Sequence, residues 1–264
     1  MEPPIVFERA RDKFPDGPST HVDDPHSLID LLPSRLDVSR DPETRSASTA
    51  DIVELLDVAP CCQDKLTCQV QRIIDVVLSA VGLLFFLPLT LLIAVAIKLD
   101  SRGPVLYMQR RVGYCGVPFP LFKFRSMTVG AELRQAELWA DNEREGPVFK
   151  IRHDPRVTRV GRFLRRFSID EVPQLLNVLR GEMSLVGPRP ALPLEVAMYT
   201  PRQMQRLCVT PGLTGLWQIS GRANLNFDQS VDLDLRYIRT RSIGLNLWIL
   251  LRTIPAVIRG EGAY

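Results

Sequence analysis

VVLSAVGLLFFLPLTLLIAVAI, residues 76–97, runs for 22 residues without a charge. As a straight helix rising about 1.5 Å per residue it would reach roughly 33 Å, enough to cross a hydrocarbon core. Pro88 sits near its middle, where it removes a backbone donor and favours a kink. Each half alone reaches only about half the bilayer thickness. Lys65 and Arg72 precede the segment, and Lys98, Arg102, Arg110 and Arg111 follow it. Basic residues on both sides are awkward for a span with one cytoplasmic end, and they fit a helix that enters and leaves by the same face. On the residues alone, a plain transmembrane helix and a re-entrant one both stand.

The charge balance divides at this segment. Residues 1–65 hold 14 Asp/Glu and 7 Lys/Arg, a net −7, and the remainder holds 26 Lys/Arg and 16 Asp/Glu, a net +10. The basic part favours anionic membrane lipids or phosphorylated substrates, although a solvated basic face would account for the charge alone. No nucleic-acid module is recognisable, so nucleic acid is not an expected partner. Residues 1–68 read as a disordered acidic N-terminal extension rich in Pro, Asp and Ser, with short candidate helices at 27–36 and 51–58. The extension is no signal peptide, because it starts acidic and its first long apolar run comes far too late. Cys61, Cys62, Cys68, Cys115 and Cys208 form neither a disulfide framework nor a zinc spacing, which fits a reducing compartment.

Downstream, PVLYMQRRVG (104–113) and PFPLFKFRSM (118–127) read as two strands around the turn YCGVP. Residues 130–145 are polar and helix-prone, and 154–166 are helical in their later part. Ser168 and Glu171 have capping-box spacing for a helix over Ile169–Leu179, with Pro173 tolerated in its first turns. MSLVG (183–187) is extended. Residues 192–207 read as a helix broken near Pro201, and 211–222 as a turn-rich loop leading to a short extended piece. Residues 227–242 are helical. The apolar 243–258, with Trp248 and Arg252, suits either the membrane interface or a core helix.

The chemistry concentrates in RRFSIDEVPQLLNVLRGEMSLVGPRP (165–190). Asp170 and Glu171 open a helix, where the dipole and free N–H groups favour the anion needed in a nucleophile or a Mg²⁺ ligand. First-turn carboxylates also serve as plain caps. Lys123 and Arg125 in KFRSM, Arg165-Arg166, and Arg189 in GPRP supply cations; Arg offers a planar fork for phosphate oxygens. Pro188 and Pro190 restrict the backbone around Arg189. No P-loop or G-x-S-x-G elbow occurs, and of His21, His26 and His153 two fall in the extension.

From Gln71 onward the chain resembles the bacterial sugar transferases, the monotopic polyprenyl-phosphate hexose-1-phosphate (phosphoglycosyl) transferases. The matching pieces are QRIIDVVLSAVGLLFFLPL, SRGPVLYMQRRVG, FKFRSM, DPRVTRVGRFLRRFSIDEVPQLLNVLRGEMSLVGPRP, PGLTGLWQISGR and DLDLRYI. The resemblance implies transfer of a sugar-1-phosphate from a UDP-sugar to a polyprenyl phosphate such as undecaprenyl phosphate, releasing UMP. It makes Asp170 the nucleophile that forms a covalent phosphosugar-enzyme, Glu171 its dyad partner, and Mg²⁺ a cofactor held by both. It assigns Lys123, Arg165 and Arg189 to substrate phosphate, and Gln218 and Arg222 to the nucleotide. It favours glucose or galactose, in exopolysaccharide or related glycan synthesis.

The same resemblance implies a fold: α+β and mostly helical, with short antiparallel strands and amphipathic interfacial helices. Residues 69–100 become a re-entrant membrane helix broken at Pro88, and 101–264 a small catalytic domain on the cytoplasmic face of the bacterial inner membrane. A homodimer is a reasonable state. The chain departs from the family pattern at Leu87, where some members have Ser, and at Asn246, where many have Asp. A rival reading, a non-catalytic membrane scaffold of a polysaccharide assembly complex, would need the anchor and the basic surface but not the Asp-Glu pair.

Overall fold

The computed structural model describes residues 65–135, 137–143, 149, 151, 153–221 and 225–259. The acidic extension up to residue 64, with its two candidate helices, lies outside the described residues. The apolar segment forms helix α1, Lys65–Asp100, and helical structure runs on through Pro88. Pro88 has no N–H to donate, and two residues on the Thr90 hydroxyl donates to the Leu87 carbonyl at 2.7 Å. Among the described residues α1 is the one helix long and apolar enough to cross a membrane. Leu84, Phe85, Leu91 and Leu92 on its outer surface are exposed.

Both ends of α1 are tied to the body of the protein. Near its start, Gln71 donates to the Ser184 hydroxyl at 3.0 Å, and Asp75 accepts from the Leu185 N–H at 3.0 Å. The Arg72 guanidinium donates to the carbonyls of Val178 and Leu179 at 2.5 and 2.7 Å. Those carbonyls lie in the last turn of a short helix, where Val178 also accepts from the Gly181 N–H at 3.0 Å, so Arg72 reinforces that helix end. At the far end, Asp100 accepts from the Val160 N–H at 3.0 Å. The buried Arg125 donates to the carbonyls of Ser101 and Arg102 at 2.7 and 3.0 Å.

The body begins with strands β1, Leu106–Val112, and β2, Pro118–Phe124, paired antiparallel. Helix α2, Arg159–Arg166, follows the long connection, and a 3-10 stretch, Ile169–Gln174, leads into helix α3, Leu175–Arg180. Strands β3, Ser184–Val186, and β4, Gly212–Thr214, flank two short helices, α4 (Pro193–Val196) and α5 (Pro201–Met204). The chain closes with α6, Leu216–Ser220, α7, Phe227–Thr240, and α8, Ile243–Arg259. One core gathers Phe119, Leu121, Val178, Leu185, Tyr237 and Ile249; a second joins Ile93 and Ile97 of α1 to Phe124 and Leu164.

Several expectations change. The β3–β4 pair is parallel, so the strands are not all antiparallel. Its backbones come so close that a Cβ on Gly212 would lie 2.0 Å from the Gly187 nitrogen, which no side chain tolerates. Where 211–222 were expected to be a turn-rich loop leading to a short extended piece, a strand comes at Gly212–Thr214 and a helix follows at Leu216–Ser220. Among the described residues of the helix-prone 130–145, the helical pieces are two 3-10 turns, Leu133–Gln135 and Trp139–Asp141. In 192–207, Pro201 opens α5 as its first residue under a Thr200 cap, which separates the two short helices. Helix α8 presents one buried and one exposed face. Asn246 and Ile249 are buried in the core, while Leu247, Trp248, Leu251, Ile254 and Ile258 form an exposed apolar face.

Candidate active site

Strand alternation decides which side chains of the hairpin face the site. The register pairs Tyr107 with Lys123, Gln109 with Leu121 and Arg111 with Phe119. These six side chains share one face, and Phe119 and Leu121 bury it in the core. Lys123 and Arg111 therefore hang from the rim of an apolar surface.

Helix α2 contributes Arg165. Its Thr158 cap accepts from the Gly161 N–H at 2.9 Å. A Cβ on Gly161 would stand 1.9 Å from the Ser126 carbonyl oxygen, so glycine alone lets the first turn lie against the chain leaving β2. One turn later the Arg165 Nε donates to the Ser126 hydroxyl at 2.9 Å.

Between α2 and the 3-10 stretch the chain reverses through Ser168, whose φ of 54° lies in the left-handed region. That conformation costs a non-glycine residue about 1 kcal/mol and recurs at functional turns. The expected capping box does not form. Ser168 makes no side-chain cap, and Glu171 turns to other partners. With about three residues per turn, neighbouring side chains of a 3-10 helix diverge by about 120°. Asp170 and Glu171 thus occupy different surroundings.

Glu171 is held by cations. Its Oε1 lies 2.9 Å from the Lys123 Nζ and 3.1 Å from an Arg189 guanidinium nitrogen. Burial alone would push this carboxyl up, but the pull of Lys123 and Arg189 outweighs it and holds Glu171 well below the usual range. Asp170 is 7% exposed, and its carboxyl has no hydrogen-bond partner among the described residues. Burial raises its pKa, opposed by Lys123, reinforced by Glu171, and opposed again by Arg165 and Arg189. The dipole and free N–H groups at a helix start favour the anion, but at Asp170 burial prevails.

Arg189 follows β3. All four carbonyls of its loop are occupied. Pro188 accepts from the Gly212 N–H at 2.8 Å and Ala191 from the Val112 N–H at 2.9 Å. Arg189 accepts from Arg206 at 3.4 Å, and Pro190 from Arg111 at 3.1 Å.

Lys123, Arg165, Asp170, Glu171 and Arg189 therefore share one electrostatic field. Other candidates go elsewhere. Arg125 secures the exit of α1, and Arg166 lies over the Phe167 ring at 5.5 Å. Gln218, in α6, donates to the Leu213 carbonyl at 3.3 Å. Arg222 lies outside the described residues. Arg111 was missed: burial, and then Arg189, lower its pKa to about 10, while Glu171 is among the charges that oppose them. The signal was in QRRVG, since alternation from Lys123 across the hairpin selects Arg111 over Arg110.

Among the described residues no cluster of three or more His, Cys, Asp or Glu stands ready for a metal. The dyad still suits Mg²⁺, which takes one or two carboxylates and completes its shell with water and substrate phosphate.

A family profile described as bacterial sugar transferase matches residues 66–260. The chain is 44% identical over 194 residues to the galactosyl transferase CpsE of Streptococcus agalactiae serotype III (strain NEM316), covering 73% of this chain and 43% of that protein. It is 42% identical over 198 residues to the exopolysaccharide production protein ExoY of Rhizobium meliloti (strain 1021), covering 74% and 88%. With the UDP-glucose:undecaprenyl-phosphate glucose-1-phosphate transferase of Caulobacter vibrioides it shares 43% over 205 residues, covering 74% and 72%. The chain thus spans under half of the streptococcal protein and most of the other two.

Proposed function

The chain belongs to the bacterial sugar transferase family and is a phosphoglycosyltransferase, and we propose that it moves a sugar-1-phosphate from a UDP-sugar to undecaprenyl phosphate, releasing UMP. The observation that carries this reading is the division of labour in the dyad. One carboxylate is engaged by two cations, and its neighbour is buried among cations with no hydrogen bond among the described residues. The Asp170 carboxylate attacks the sugar-linked phosphorus, the bond from that phosphorus to the oxygen of UMP breaks, and UMP leaves with the electron pair. A phosphate oxygen of the polyprenyl carrier then attacks the same phosphorus, and the bond to Asp170 breaks to restore the carboxylate. Neither step needs a histidine, because phosphoryl transfer asks for positioning and charge neutralisation. Lys123, Arg165, Arg189 and Arg111 supply both. We assign Mg²⁺ to Asp170 and Glu171 together with substrate oxygens, where it would neutralise phosphate charge. The product would feed exopolysaccharide or related glycan synthesis.

UMP release measured across a panel of UDP-sugars, with and without undecaprenyl phosphate and Mg²⁺, tests the assignment. Release that depends on one sugar and on the lipid supports it, and no release from any UDP-sugar by the folded membrane-bound protein sinks it. The acid limb of kcat/KM should lie above the ordinary Asp value of about 3.9, because burial makes the reactive anion harder to form. Lys123→Met removes the largest opposing influence, so the limb should move to still higher pH; an unmoved limb would separate Asp170 from the rate.

For α1 we propose a re-entrant path, both ends on the cytoplasmic face of the inner membrane. From Asp75 to Asp100 a straight helix would extend about 38 Å, yet one body holds both ends. Exposed Arg159, Arg162 and Arg166, along one side of α2, would meet anionic lipids beside its exit. In a background stripped of native cysteines, Asp64→Cys and Ser101→Cys should label from the same side, and labelling from opposite sides would mean a spanning helix.

A further inference from the structure

Arg206 and Asp234 form an ion pair away from the dyad, with only 9% and 1% of their side chains exposed. Arg206 sits in a 3-10 turn, Gln205–Cys208, and Asp234 on α7. The Arg206 Nε donates to Asp234 at 2.9 Å, one terminal nitrogen to the Tyr199 hydroxyl at 2.5 Å, and the other to the Arg189 carbonyl at 3.4 Å. Its guanidinium also lies over the Tyr199 ring. Asp234 Oδ1 has no hydrogen-bond partner among the described residues.

Burying two charges is expensive, and well-packed apolar residues of similar volume usually stabilise as much or more. Packing therefore does not explain the pair. Its geometry offers another explanation. Arg206 reaches the main chain of the very residue whose side chain grips Glu171. Pro188 and Pro190 stiffen that loop at φ but provide no N–H groups, so its placement depends on what binds its carbonyls. Gly212 and Val112 hold the outer two through backbone N–H groups, and Arg111 and Arg206 hold the inner two. Arg111 is itself part of the field around the dyad; Arg206 has its own counter-ion and adds no net charge there.

We propose that Arg206, oriented by Asp234 and Tyr199, is a positioning residue that sets the reach of Arg189 to Glu171 through the Arg189 carbonyl. The catalytic arm of this inference rests on the transferase reading; the geometric arm does not.

The test pairs a kinetic cycle with a chemical probe on the full chain in lipid nanodiscs. Arg206→Lys keeps the charge and the link to Asp234, but an ammonium cannot serve Asp234, Tyr199 and the Arg189 carbonyl in one planar fork. It should lower kcat by about tenfold, and in the Arg189→Lys background it should lower kcat no further, because coupled residues are non-additive. Independent losses that multiply in the double variant would overturn the inference. In parallel, phenylglyoxal modification of Arg189, followed by peptide mass spectrometry, should be several-fold faster in Arg206→Lys at unchanged melting temperature; equal rates would overturn it as well. If Arg206→Lys does not fold, Asp234→Asn, which removes the counter-ion but keeps the shape, takes its place with the same expectations. If the wild type releases no UMP, the transferase reading fails and the labelling alone decides the positioning role.

Discussion

Asp170→Asn should lower UMP release at least about a thousandfold while leaving the protein folded and membrane-bound. The amide has almost the same volume as the carboxylate, so a residue that is 7% exposed keeps its packing. Only the nucleophilic oxygen is lost, while Lys123, Arg165 and Arg189 still surround the position. Stability should hold or rise. Burial already disfavours the Asp170 anion, and Glu171 beside it adds repulsion. A higher melting temperature with activity gone would mark a residue kept for chemistry at the expense of the fold. Near-normal turnover in Asp170→Asn, with the wild type measured alongside, would remove Asp170 from the mechanism.

Glu171→Gln should act in the opposite sense on stability and still reduce transfer by about a hundredfold. A single oxygen of Glu171 receives both Lys123 and Arg189. Glutamine still offers a carbonyl, but it leaves two cations in a half-buried site without their shared anion. Hydrogen bonds to charged groups contribute about 1.5–3 kcal/mol each. Arg189 keeps 35% of its side chain exposed, so its share is screened. A net loss of about 2–3 kcal/mol in denaturant unfolding is expected. The pH dependence gives a second check. Because the folded-state pKa of Glu171 is depressed, its contribution is fully present above the unfolded value of about 4.3 and is lost as pH falls below it. The stability gap between wild type and Glu171→Gln should therefore be full at neutral pH and shrink in acid. A constant gap would mean that the cation pair is not what Glu171 stabilises.

Legibility differed from residue to residue. The apolar helix, the hairpin, α7 and the acidic-basic cluster around Asp170 could be read directly, because each follows from a local pattern: a charge-free run, alternation around a turn, a helical period, or a motif. The helix over 169–179 was only half legible. Its capping-box spacing was real, but Lys123, 48 residues away, takes the Glu171 carboxylate that the cap required. Arg125 and Lys123 are two residues apart in KFRSM and go to different tasks. One reaches the exit of α1 and the other the dyad, according to where β2 ends.

The sequence by itself determined that a membrane-length apolar helix precedes a basic, phosphate-directed domain, and which residues bear charge there, since hydrophobic runs and residue types are local properties. Only the tertiary structure decided the parallel β3–β4 pairing and the 3-10 turn that separates Asp170 from Glu171. It also decided the Arg206–Asp234 support behind Arg189 and the docking of both ends of α1 on one body. Each of these depends on contacts between segments far apart in the chain, where register and close backbone approach, rather than local propensity, set the outcome.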